Sequence, residues 1–175
     1  MRLGRLILLL LCIHVHATCN LAGADKSAPA LRHKTFQAKV VRILDGDTME
    51  VLYQGSSLIK IRLAHIDCPE KRSSQPFANH AKQALSNLCF GQEVTVYSDK
   101  CDHFGRLIAV VVNYSNQVVN QEMVKQGMAW HYKKYSNDSI YANLEQEARL
   151  HQVGLWKEDN PIAPWKWRKP KTYKK

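Results

Sequence analysis

No two cysteines of this chain stand at CxxC spacing, and none of its eight histidines belongs to an HExxH pair. Both of the common zinc frameworks are therefore missing. Acids are scarce, 15 against 25 lysines and arginines, which leaves a formal charge of +10. Such an excess suits a polyanionic partner better than a neutral small molecule. Long apolar runs are absent as well. The longest, Leu6 to Val15, is about ten residues, well short of the roughly twenty that span a bilayer, so no stable membrane insertion is expected. No internal repeat is evident. At 175 residues and 45% hydrophobic, the chain has apolar material enough for one packed domain without a disulfide scaffold.

The first residues do not belong to that domain. Arg2 and Arg5 precede the apolar run, and the small residues Ala22-Gly23-Ala24 follow it. This is the pattern of a secretory leader over residues 1–24, with Ala17 a second candidate cleavage point, and it implies a secreted or periplasmic protein. Residues 25–34 read as a flexible lead-in, 35–160 as the folded domain and 161–175 as a basic aromatic tail. Cys12 and Cys19 leave with the leader. Cys68, Cys89 and Cys101 remain, an odd number that permits one bridge and one free thiol; Cys68 is expected to be structural or paired.

Three stretches alternate apolar and polar residues as half-buried strands do: Phe36, Ala38 and Val40; Met49, Val51 and Tyr53; Ile59, Ile61 and Leu63. Gly46 and Gly55 supply turns between them, giving a three-stranded meander. Ser73 or Ser74 with Pro76 marks a helix start. Phe77, Ala81, Ala84, Leu85 and Leu88 continue at helical spacing until Gly91. Val94 and Val96 form a fourth strand and Leu107 to Val112 a fifth. A short helix from about Gln121 to Gly127, an extended Met128 to Tyr132 and a longer helix from Ser139 to about Gln152 complete the domain. That last helix carries Ile140, Leu144, Ala148 and Leu150. The fold class is α+β: a five-stranded oligonucleotide-binding barrel with packed helices. In the tail, Trp165 and Trp167 alternate with Lys166 and Arg168. The tryptophans are expected to pack down while the terminal lysines attract phosphates.

Chemistry concentrates in two acidic runs, Asp45-Gly46-Asp47-Thr48 and Asp67-Cys68-Pro69-Glu70, with Arg62 between them and Arg106 beyond. Alone, the first is an ordinary β-turn and the second a loop or helix entry. Together the acids can hold a hard cation and position water, while the arginines grip phosphate oxygens and stabilise charge developing there. The set reads as a metal-assisted phosphodiesterase.

The same residues carry a family resemblance. Asp45-Gly46-Asp47-Thr48, Arg62-Leu63, Ile66-Asp67-Cys68-Pro69-Glu70, Phe104-Gly105-Arg106, Gln126-Gly127-Met128-Ala129 and Gly154-Leu155-Trp156 occur in the order seen in the staphylococcal nuclease family. The chain resembles that family from about Phe36 to Trp156. The resemblance implies an oligonucleotide-binding barrel with three helices. It also implies calcium-dependent hydrolysis of DNA and RNA at the 5′-oxygen, leaving 3′-phosphate ends, by a monomer. Asp47, Asp67 and the main-chain carbonyl of Cys68 would bind Ca²⁺, with Asp45 holding metal-bound water. Glu70 would orient or deprotonate the attacking water, and Arg62 and Arg106 would clamp the phosphate. Cys68 stands where the family usually has threonine, and His103 and Phe104 where a lysine and a tyrosine hold the nucleotide's phosphate end. Tyr132 and Tyr135 are candidate base-stacking residues, and Lys133 and Lys134 could line the groove. Members of the family that bind without cutting have usually lost catalytic acids or arginines; here none is missing.

Overall fold

Alternation along the chain becomes a closed barrel. A computed structural model describes residues 28–71 and 74–168; the expected leader, Ser73 among the candidate helix starts, and the tail beyond Arg168 lie outside the described residues. Strands β1 (Thr35–Ile43), β2 (Thr48–Tyr53) and β3 (Ser57–Leu63) form the expected antiparallel meander. Strands β5 (Glu93–Cys101) and β6 (Leu107–Val112) complete a barrel ordered β1-β2-β3-β6-β5, in which β3 and β6 run parallel. Side chains spaced two apart, among them Val40, Met49, Val51, Ile59, Ile61, Val96, Leu107 and Val111, fill the interior. Two-residue strands β4 (Ile66–Asp67) and β7 (Trp130–His131) pair outside the barrel, setting Asp67 opposite Trp130.

Helices α1 (Ala78–Cys89), α2 (Val119–Lys125) and α3 (Ser139–Leu150) match the three expected, and α2 packs against both others. Their details differ from the sequence reading. The first begins at Ala78 rather than beside a serine cap, because Ser74 and Phe77 adopt left-handed backbone angles (φ 52° and 65°). Gln75, between them, accepts from the Glu70 N–H and donates to the Ile162 carbonyl. The turn serves the site loop instead of continuing the helix. The second begins at Val119, bringing the fully buried Asn120 to its first turn. On α3 the buried face is Tyr141, Glu145 and Ala148, with Leu144 packed beside it, whereas Ile140 and Leu150 point to solvent. Both registers satisfy helical spacing. Tyr141 wins because its ring stacks on His65, and Glu145 is tolerated inside because Arg149 and Lys133 meet its carboxylate.

Residues expected to be a loose lead-in are partly packed. Ala28–Leu31 forms a 3-10 turn whose Ala28 and Leu31 are buried against the barrel. No disulfide joins the described cysteines, and Cys68, Cys89 and Cys101 are all free thiols. A second, smaller core of Trp130, Ala148, Leu155, Trp156 and Ala163 lies outside the barrel. A short helix α4 (Pro164–Trp167) closes over it, with Trp165 stacked on Tyr132 and edge-on to Trp130.

Candidate active site

Gly46 decides how closely the two acidic runs approach. A Cβ there would lie 2.7 Å from the Ala81 Cβ and 2.8 Å from that of Cys68, so only glycine lets the β1–β2 turn lie against both α1 and the Asp67–Glu70 loop. Within the turn, Asp45 accepts the Asp47 N–H at 3.2 Å. Asp47 reaches across to accept the Cys68 N–H at 2.7 Å. One carboxylate thereby ties together segments 21 residues apart in sequence.

Arg62 joins them electrostatically. Its Nη1 donates to the carbonyls of Leu63 and Ile66, which fixes the guanidinium plane. Its Nη2 lies 3.1 Å from Asp47 Oδ2 and 2.8 Å from Asp67 Oδ1. Burial works against the Arg62 charge, but Asp47 and then Asp67 outweigh it and raise its pKa. Burial also raises the acids: Asp45, with Asp47 adding to the effect, and Asp67, where desolvation exceeds the help from Arg168, are each pushed up to about 6. Cys68 is wholly enclosed and its thiol is pushed far up by burial, so it is no nucleophile.

Arg106 reaches the same end of the barrel from the β5–β6 turn. Its Nη1 is 3.5 Å from the Thr48 hydroxyl, while Nε donates to Asp102 at 2.7 Å. Asp102 also accepts the Phe104 and Arg106 N–H groups. Burial opposes its charge, but the backbone bond from Arg106 and that residue's guanidinium hold its carboxyl below the usual range. The sequence reading passed over Asp102. Its signal was an aspartate opening a glycine turn four residues before an arginine.

A second residue passed over is Arg168. Its Nη2 lies 2.8 Å from Asp67 Oδ2, and its Nη1 donates to Asp67 Oδ1 at 3.3 Å and to Glu70. Glu70 is otherwise half-buried, more open than Asp47 or Asp67, and held at its backbone by Gln75. As arranged, no three His, Cys, Asp or Glu residues among those described stand ready around one ion. Asp67 and Glu70 nonetheless converge on a single guanidinium nitrogen, as they would on a cation. Carboxylate oxygens with a neighbouring backbone carbonyl are the donors a hard cation takes, so in kind these residues suit such an ion.

The expected substrate contacts divide. His103 and Phe104 are exposed beside Arg106, whose Cζ lies 5.4 Å from the Phe104 ring centre. Tyr132 gives one ring face to Trp165, with planes 6° apart, so that face is closed to a base. Tyr135 is exposed, with Lys134 over its ring. Lys133 pairs with Glu145.

Comparison with known proteins gives the family. The model of the family described as "Staphylococcal nuclease homologue" matches residues 60–158, which include Arg62, Asp67, Glu70 and Arg106. An uncharacterized endonuclease of Haemophilus influenzae is 47% identical over 131 residues, covering 75% of this chain and 72% of that protein. The micrococcal nuclease of Shigella flexneri is 43% identical over 144 residues, covering 77% and 81%. A staphylococcal-like nuclease of Arabidopsis thaliana is 38% identical over 142 residues, 79% of this chain but 41% of the longer plant protein. With the barrel, the paired acidic runs and both arginines in place, the chain belongs to the staphylococcal nuclease family and is a nuclease.

Proposed function

We propose that this nuclease is a calcium-dependent phosphodiesterase of DNA and RNA that breaks the bond to the 5′-oxygen and leaves 3′-phosphate ends. It works as a monomer outside the cytoplasm after its leader is removed. The carrying observation is that Arg62 bridges Asp47 and Asp67 while Arg106 reaches Thr48 of the same turn. Acids and guanidinium groups so placed would face one phosphate.

Asp47, Asp67 and the Cys68 carbonyl would hold Ca²⁺, with Asp45 behind them. When bound there, the ion supplies positive charge that offsets the anionic phosphate and makes a nearby water more acidic. Glu70, on the open side, accepts a proton as that water attacks phosphorus. The bond from phosphorus to the 5′-oxygen breaks, and solvent protonates the leaving oxygen. Arg62 cannot turn away, because two backbone carbonyls grip it. It therefore meets charge on a non-bridging oxygen with no reorganisation. Arg106, aimed by Asp102, offsets charge on the departing oxygen without giving up its own proton. His103 and Phe104 flank it on the substrate side. The surrounding positive excess draws in the polyanion.

Digestion of single-stranded DNA, duplex DNA and RNA with calcium and with a chelator tests the reading. The expected result is calcium-dependent cleavage of all three, fastest on single strands, with products that must be dephosphorylated before their 3′ ends can be extended. Asp47→Asn and Glu70→Gln should each remove activity, the latter by about 10²–10⁴-fold. Undiminished cleavage by either variant, or in chelator, overturns the assignment.

A further inference from the structure

Arg168 forms part of this site although it comes from the C-terminal segment, beyond the residues that the family model matches. Three observations define its position. Among the described residues, every hydrogen bond from its side chain ends on Asp67 or Glu70. Arg62, by contrast, is 12% exposed and anchored to main-chain carbonyls, whereas Arg168 is 40% exposed and has no such anchor. The two arginines also share one oxygen, Asp67 Oδ1, so two like charges meet at a single acceptor.

The segment that delivers Arg168 is fastened to the site loop. Gln75 accepts from the Glu70 N–H and donates to the Ile162 carbonyl at 2.6 Å. Ala163 is buried, and Trp165 is held between Tyr132 and Trp130. The backbone at Arg168 is thus placed while its side chain hangs on carboxylates alone. A cation held at Asp67 needs the lone pairs that this guanidinium uses there.

We propose that Arg168 is a tethered competitor of the catalytic cation: its guanidinium fills the Asp67–Glu70 pair in the metal-free enzyme, must swing out for the ion to load, and so sets the cation concentration at which the nuclease works. This rests on the calcium reading above. Glu70 is also engaged by Arg168 in the closed arrangement, which keeps it from taking a proton. A competitor on a short tether acts at high effective concentration, and the apparent affinity falls by the fraction of time that the acids are free.

Calorimetric titration of calcium into the full chain distinguishes the possibilities, using wild type, Arg168→Gln, Arg168→Lys and Asp67→Asn. Arg168→Gln is expected to bind calcium at least about fivefold tighter. Arg168→Lys, which keeps the charge but loses the two-pronged fork, should fall between it and wild type. Asp67→Asn should lose binding, and the half-saturating calcium concentration for cleavage should shift with the measured affinity. Melting curves in chelator establish that each variant is folded; if Arg168→Gln is not, Arg168→Lys against wild type decides. Unchanged or weaker binding on removing Arg168, with Asp67→Asn still defective, overturns the competitor and leaves the calcium reading standing. Full binding by Asp67→Asn overturns both.

Discussion

Arg62 illustrates how much a single side chain carries. It spans two acids and two carbonyls at once, a pattern that five donors in one plane can satisfy and a lysine ammonium cannot. Arg62→Lys should therefore lower kcat by about 10²–10³-fold in single-turnover cleavage while the protein still folds. Asp102 acts on Arg106 rather than on substrate. Asp102→Ala frees that guanidinium to wander, and a fall in kcat with calcium affinity unaltered is the expected result; an equal loss of calcium binding would contradict its role. Both arginines were legible in the sequence because each adjoins a recognisable motif. Asp102 and Arg168 were not. The first is visible only as a turn residue, and the second lies 98 residues from Glu70, with nothing local to suggest their meeting.

At the scale of elements, alternation located the three meander strands, since burial on one face imposes a period of two, and the apolar run Leu107 to Val112 located the fifth. Helix boundaries were less legible. The α1 start moved because the residues before it fasten the site loop, and the face of α3 was misassigned because Tyr141 stacking on His65 outweighs burial of Ile140. Asn120 was invisible for a related reason: a polar residue in a helical pattern gives no sign of being a buried staple. Its side chain accepts the Val111 N–H and donates to the Ala64 and Ala109 carbonyls, joining β6 to the chain that enters β4. Asn120→Ala strands these groups away from water. A loss of about 3 kcal/mol in denaturant unfolding is expected, and a loss under about 0.5 kcal/mol would count against this account.

Across the whole molecule, the acids resist being charged until something offsets them. Asp45 and Asp67 have folded pKa values near 6, above the ordinary 3.8. Their contribution to stability is thus fully present below about pH 4 and is lost as pH rises through 6. In chelator, Asp45→Asn should stabilise the protein more at pH 7.5 than at pH 4.5, as read by melting temperature. On the calcium reading proposed above, the ion should reverse the trend by favouring the charged forms, and its affinity should fall as pH drops below 6. Equal affinity at pH 5 and pH 7.5 would contradict the placement of these groups around the ion. Charge also sets the encounter with substrate: with a net +10, binding to polynucleotide should weaken steeply as salt rises.

Residue order alone determined the barrel, its helices and which acids and arginines are candidates for the site. Strand period, turn glycines and paired acidic runs are local patterns, and chemistry at a phosphate demands those residue types. Only the tertiary structure decided which groups share a partner: Asp102 behind Arg106, Asn120 between β6 and the chain that enters β4, and Arg168 upon Asp67 and Glu70. Such meetings are set by packing between segments distant in sequence, where the energy lies in a shared contact and leaves no periodic trace along the chain.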